Sequence, residues 1–136
     1  MANYKIEDVE GIGHVLGEKF RAADVKDTDA LLKSALTSSQ RKALAEKTGL
    51  SEARVLKFAN MVDLYRVSGV GSEYAELLEV AGVDTVPELA RRNAASLTQA
   101  MAAVNQEKNL TRQVPTESEV TKWIEQAKGL PRMLEY

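Results

Sequence analysis

The chain carries one short signal twice, and this repetition limits its possible folds more than any bulk property does. Val9-Glu10-Gly11-Ile12-Gly13 recurs as Val67-Ser68-Gly69-Val70-Gly71. Both copies read apolar-x-Gly-apolar-Gly, and both stand ahead of a segment with helical spacing. The match continues at constant offset: Leu16, Phe20 and Ala23 in the first copy take the places of Tyr74, Leu78 and Ala81 in the second. Val25-Lys26-Asp27-Thr28-Asp29-Ala30-Leu31 then lies against Val83-Asp84-Thr85-Val86-Pro87-Glu88-Leu89. In the second of these, Thr85 and Glu88 have capping-box spacing, and Pro87 suits a first helical turn. A further match pairs Ser51-Glu52-Ala53-Arg54-Val55-Leu56-Lys57-Phe58 with Thr116-Glu117-Ser118-Glu119-Val120-Thr121-Lys122-Trp123. Each begins with a hydroxyl able to cap a helix and an acid in the first turn. The register slips between these matches, which places a short insertion at Asn105-Gln106-Glu107-Lys108-Asn109, ahead of Pro115. Self-similarity on this scale makes each copy one supersecondary unit.

The periodicity predicts helices near 14–23, 29–35, 38–48 and 51–65 in copy one, and near 72–81, 86–92, 94–105 and 116–128 in copy two. Gly49 and Gly82 follow helical runs and read as C-caps; Thr37 and Gln40 have the spacing of a cap. No segment alternates with period two for long enough to argue a strand. The expected core is Leu16, Phe20, Val25, Leu31, Leu44, Val55, Phe58 and Val62 in copy one, and Tyr74, Leu78, Val83, Leu89, Met101, Val104, Val120, Trp123 and Ile124 in copy two. The two copies divide at 1–64 and 65–136. No Pro/Gly-rich linker separates them, so they are expected to pack together.

Composition narrows the chemistry. The 136 residues contain no Cys, which excludes a disulfide framework, a thiolate metal site and a Cys nucleophile. No apolar run approaches the roughly 20 residues needed to span a bilayer, and no basic region followed by an apolar stretch opens the chain. These features predict a cytoplasmic protein with no membrane contact. The formal net charge is −2, so any attraction for nucleic acid must be local. The single His14 cannot build a metal cluster and reads as a solvated turn residue. The acids scatter along exposed helical positions, and Gly11-Ile12-Gly13 has neither the spacing nor the Lys of a nucleotide-binding loop. The expectation is a protein that is not an enzyme, with no catalytic residues, no cofactor and no metal.

Taken together, the two glycine turns with Leu16, Phe20, Ala75 and Leu78 resemble helix-hairpin-helix motifs. Glu46-Lys47-Thr48-Gly49-Leu50-Ser51-Glu52-Ala53-Arg54-Val55 resembles the accompanying half-motif of recombinase N-terminal domains. Over essentially its full length the chain is similar to a small bacterial family described only as a domain of unknown function with tandem helix-hairpin-helix units. The resemblance implies an all-α fold of two tandem helix-hairpin-helix (SAM-like) repeats of short helices packed as one compact domain. It also implies sequence-independent DNA binding. The physical basis is that N–H groups at a helix start lack intrahelical acceptors and carry partial positive charge. Glycines let the backbone approach a phosphate oxygen, and phosphate contacts position a protein without reading sequence.

The charges around the two hairpins differ. After Gly13 come His14, Lys19 and Arg21, with Glu18 between them and Glu7, Asp8 and Glu10 ahead of the turn. After Gly71 come Ser72, Glu73, Glu76 and Glu79, with only Arg66 upstream. The candidate phosphate site is therefore Gly11, Ile12, Gly13, His14, Lys19 and Arg21, while Gly69, Val70 and Gly71 read as structural. Arg41, Lys42, Lys47, Arg54 and Lys57 form a possible basic patch, or a solvated helical surface. Two functions stand at this point. One is a non-catalytic module binding DNA or other nucleic acid weakly and salt-sensitively through hairpin one; the other is a protein-interaction or assembly module in which the hairpins only shape the fold. The tail 130–136 has enough apolar residues to dock on the body or on a partner. Oligomeric state is left open.

Overall fold

The computed structural model describes residues 3–136. Among them the chain is all-helical: a 3-10 turn at Ile6–Asp8, then α1 (Gly13–Ala22), α2 (Thr28–Lys33), α3 (Ser38–Thr48), α4 (Glu52–Leu64), α5 (Ser72–Val80), α6 (Val86–Ala90), α7 (Ala94–Lys108) and α8 (Glu117–Lys128). An isolated antiparallel bridge between Lys5 and Asp27 is the extended pairing found among the described residues. The chain divides into two compact units. One holds the residues up to Asp63 together with Met133–Tyr136; the other is Leu64–Arg132. The sequence alone groups the tail with the second copy, whereas the contacts of Met133–Tyr136 place it with the first.

Most helix starts follow from local hydrogen bonding. Thr37 accepts from the Gln40 N–H at 3.2 Å while the Gln40 side chain accepts from the Thr37 N–H at 3.1 Å. Thr116 and Glu119 form the same reciprocal box, at 3.1 Å each way. Asp27, Ser51 and Asn93 cap α2, α4 and α7 from the residues just ahead of them. Each bond satisfies an N–H that has no acceptor within its helix. Thr85 departs from the expectation. It stands ahead of α6 without a side-chain cap bond, and the Glu88 carboxylate, the other half of the expected box, accepts from the Arg92 guanidinium at 3.1 Å. Gly49 closes α3 in the left-handed conformation, at φ +76°. The inserted residues of copy two lengthen α7, which runs on to Lys108 and stops at Asn109 with φ +55°. Asn105 pins the loop that follows, accepting from the Thr111 N–H at 2.9 Å and donating to its carbonyl at 3.1 Å.

In the first unit α1 packs on the 3-10 turn and on α3; in the second, α6 and α7 pack on α8 and α5 on α7. The expected core residues are buried except Leu16, Tyr74 and Val104, which are half-buried. The inward line of α1 passes through Gly17 and Phe20, leaving Leu16 on its flank. On α7 the line passes through Leu97, Met101 and Asn105, so Val104 falls beside it. Tyr74 lies against Trp123, ring centroids 5.2 Å apart, and its hydroxyl donates to the Gln113 carbonyl at 3.2 Å. An amphipathic side chain in such a place keeps its polar tip near the surface. Among the buried residues absent from the expected core are those leading into the glycine turns: Ile6, Val9 and Ile12 in one unit, Leu64, Val67 and Val70 in the other.

The turns themselves share their backbone. The Ile12 N–H donates to the Val9 carbonyl at 3.0 Å, and the Val70 N–H to Val67 at 3.1 Å. The first glycine of each has positive φ, +88° at Gly11 and +93° at Gly69, and each lies beside an aromatic ring from the last helix of its own unit. A Cβ on Gly11 would stand 3.4 Å from Phe58 Cε1; one on Gly69 would stand 3.0 Å from Trp123 Nε1. Farther along, the Val25 N–H reaches back to Phe20 and the Val83 N–H to Leu78, both at 2.8 Å. Gly11→Ala is expected to cost about 1–2 kcal/mol from left-handed backbone alone. Gly69→Ala should cost about 1–3 kcal/mol more, since the indole must also move. Urea unfolding of the two variants checks this; equal losses would show that the ring contact at Gly69 carries no weight.

Candidate nucleic-acid interface

The first glycine turn is held from beneath. Val9 and Ile12 are buried, and the Ile6 N–H donates to the Lys26 carbonyl at 3.0 Å. Above them Gly11 and Gly13 are exposed. Gly13 opens α1 at φ +64°, and apart from its chain neighbours and the backbone of its own helix no protein atom lies within 4 Å of where its Cβ would stand. Ile12, the residue at the cap position, supplies no side-chain hydrogen bond. The opening N–H groups of α1 therefore lack intrahelical acceptors and receive none from the side chain at the cap position.

The three donors named from the sequence have different surroundings. His14 Nε2 lies 3.2 Å from Glu18 Oε1, with the side chains 83% and 68% exposed; such a surface pair is weak and easily exchanged. Lys19 is exposed. Arg21 is engaged with Glu7: its Nε donates to Oε2 at 2.6 Å and its Nη2 to Oε1 at 2.7 Å. This two-bond clamp is the leading cause that holds the Glu7 carboxyl down from 4.5 to about 2, with its own backbone N–H second. The same clamp raises the Arg21 guanidinium. Gly17 makes room for it, because a Cβ there would come within 2.6 Å of Glu7 Cγ.

Folding brings further cations to this edge. A groove of about 330 Å3 is lined by Asn3, Tyr4, Lys5, Arg21, Lys26 and Asp27. Lys5 and Lys26 are far apart in sequence and meet through the Lys5–Asp27 bridge. The expected patch on α3 and α4 is different from its sequence reading. Arg41 is only 5% exposed and donates to the Ala35 and Leu36 carbonyls at 2.9 and 3.2 Å, which removes it from any surface patch. Arg66 is likewise buried, and both of its terminal nitrogens donate to the Pro131 carbonyl.

The second glycine turn is built differently after its first glycine. Gly71 is extended, with φ −100° and ψ −167°, where Gly13 is left-handed. The side chain of Gln126 grips both backbone groups of Ser68, accepting from its N–H at 3.0 Å and donating to its carbonyl at 3.3 Å. Of the three acids on α5, Glu73 is exposed while Glu76 and Glu79 are half-buried. Arg112, from the loop before α8, lines a groove of about 420 Å3 with Gly69, Gly71, Ser72, Glu73 and Tyr74. Arg112 is far from the turn in sequence, and nothing local points to it.

The glycines of both turns and the matched segments after them fall inside one family match, over residues 10–130. The chain belongs to the family described as Domain of unknown function (DUF4332). Comparison with curated proteins and with solved structures returns no match. The family match stops short of Met133–Tyr136 and begins after Glu7, so the Glu7 end of the clamp on Arg21 lies outside it.

Because the folded Glu7 pKa is lowered, the native protein binds fewer protons than the unfolded chain between pH 2 and 4.5. The clamp's stabilisation is therefore fully present above about pH 4.5 and is lost as pH falls toward 2. The stability difference between the native chain and Glu7→Gln should be constant above pH 5 and shrink across that window. Gly17→Ala should displace Glu7 and move its carboxyl titration, followed by NMR, upward toward 4.5; an unmoved midpoint would show that the close approach at Gly17 does not position the clamp.

Proposed function

We propose that each unit is a helix-hairpin-helix repeat and that the protein is a non-catalytic module binding the phosphate backbone of nucleic acid, without regard to sequence, through the first hairpin. The observation that carries this reading is the start of α1: two exposed glycines, an uncapped helix N-terminus and open space at Gly13. A phosphate oxygen there would accept from the opening N–H groups of α1 at Gly13 and beyond, the Ile12 N–H being held by the Val9 carbonyl, and meet the favourable end of the helix dipole. Lys19 lies on the same helix, and His14 exchanges Glu18 for phosphate at little cost. Arg21 acts through the Lys5–Arg21–Lys26 groove, with part of its charge offset by Glu7. The second hairpin serves as scaffold, since Gln126 occupies the Ser68 backbone and Glu73 faces the start of α5. The alternative is a protein-interaction or assembly module. It draws support from the net charge of −2 and from Val15, an apolar side chain largely exposed beside the first hairpin.

Binding to duplex and single-stranded DNA across a salt series tests the reading. Backbone contacts to about three phosphates give a log–log salt slope near −2 to −3. Lys19→Glu should weaken binding roughly tenfold at low salt and reduce the slope by about 1. Lys5→Glu with Lys26→Glu should reduce it further. Absence of binding at low salt, or indifference to Lys19→Glu, would turn the assignment to the protein-interaction module.

A further inference from the structure

The segment Met133–Tyr136 sits on the first unit in the manner of a bound peptide. Its backbone is held on both sides: the Glu135 N–H donates to the Leu36 carbonyl at 2.8 Å, and Arg41 Nη2 donates to the Glu135 carbonyl at 2.6 Å. Leu134 is 2% exposed. The Tyr136 ring lies 5.7 Å from the Arg41 guanidinium carbon, and its hydroxyl donates to Asn60 Oδ1 at 3.0 Å. The features read are an apolar side chain, the two backbone groups of Glu135 and an aromatic ring with a hydroxyl. The Glu135 side chain is exposed. Main-chain pairing with pockets for alternate side chains is how grooves recognise extended peptides.

From these contacts we infer that the groove formed by Leu36, Arg41 and Asn60 is a receptor for the Leu134-Glu135-Tyr136 segment, filled by the chain's own segment at low concentration and by that of a second copy at high concentration. Three observations support exchange. Residues 131–136 have no helix or strand, so leaving the groove breaks no regular element. An emptied groove leaves a buried cavity at Leu134 and removes one carbonyl from a buried guanidinium, so a vacant state is disfavoured relative to refilling. A second copy brings the identical segment, and reciprocal exchange restores every contact at the cost of association alone. A short tether holds the segment at an effective concentration on the order of millimolar, so exchange rises toward that range. The inference stands apart from nucleic-acid binding, since none of its residues belong to the first hairpin.

The chain has no cysteine, so introduced thiols report without background. Leu36→Cys and Glu135→Cys are placed in separate full-length chains, mixed from about 10 μM to 1 mM, and treated with a short bismaleimide. The expected product is a mixed covalent dimer whose yield rises with concentration and exceeds both like-with-like dimers severalfold. A chain carrying both thiols should close on itself at low concentration. A synthetic peptide of residues 131–136, added in excess, should occupy the groove and lower the mixed dimer severalfold, and the same peptide carrying Tyr136→Ala, which lacks the ring and the hydroxyl bond to Asn60, should compete less well. A mixed dimer no more abundant than the like-with-like products overturns exchange. Failure of the double variant to close on itself, or a mixed-dimer yield unmoved by the native peptide, overturns the groove's assignment as a receptor for this segment.

Discussion

A glycine beside an aromatic ring is the contact on which each unit depends. Gly11 meets Phe58 and Gly69 meets Trp123, in each case a ring from the last helix of the same unit. The left-handed backbone at that glycine turns the chain back over buried Val9 and Ile12, or Val67 and Val70, and the missing side chain lets the ring approach. One contact thus ties the opening turn of a unit to its closing helix. With the turn placed, the helix after it starts where it does, and the exposure of its first N–H groups follows.

Beyond that glycine the copies differ in what they leave open. In the first, Gly13 is left-handed, Ile12 offers α1 no side-chain cap, and Lys5, Arg21 and Lys26 line one groove with Asp27. In the second, Gly71 is extended, Gln126 holds Ser68, and Arg112 shares its groove with Glu73. The shared turn accounts for the architecture. What separates the two copies is their charge and their occupied hydrogen bonds.

The helices were legible because their limits are set locally: Thr37 with Gln40, Thr116 with Glu119, and Gly49 at the end of α3 all act within a few residues. The core was legible where the apolar stripe is regular, and misread where one polar or small residue takes the inward line, as Asn105 and Gly17 do. The charges were the least legible part. Arg41 and Arg66 look like surface residues in sequence, and each is buried against a carbonyl supplied from far along the chain. Lys5, Lys26 and Arg112 reach their grooves only through long-range pairing. A cation's role depends on what folding places opposite it, and that partner leaves no local trace. The family description assigns no function that would supply it.

The Arg41–Glu135 bond spans 94 positions, and this separation bears on the order in which the chain acquires structure. The first unit's residues leave the ribosome early, yet its Arg41 meets its last carbonyl only after Leu64–Arg132 has been synthesised. Contacts of such high sequence separation form late because loop closure must come first. The first unit therefore passes through a nascent stage in which Leu36, Arg41 and Asn60 present a vacant groove, and its maturation is coupled to translation of the second.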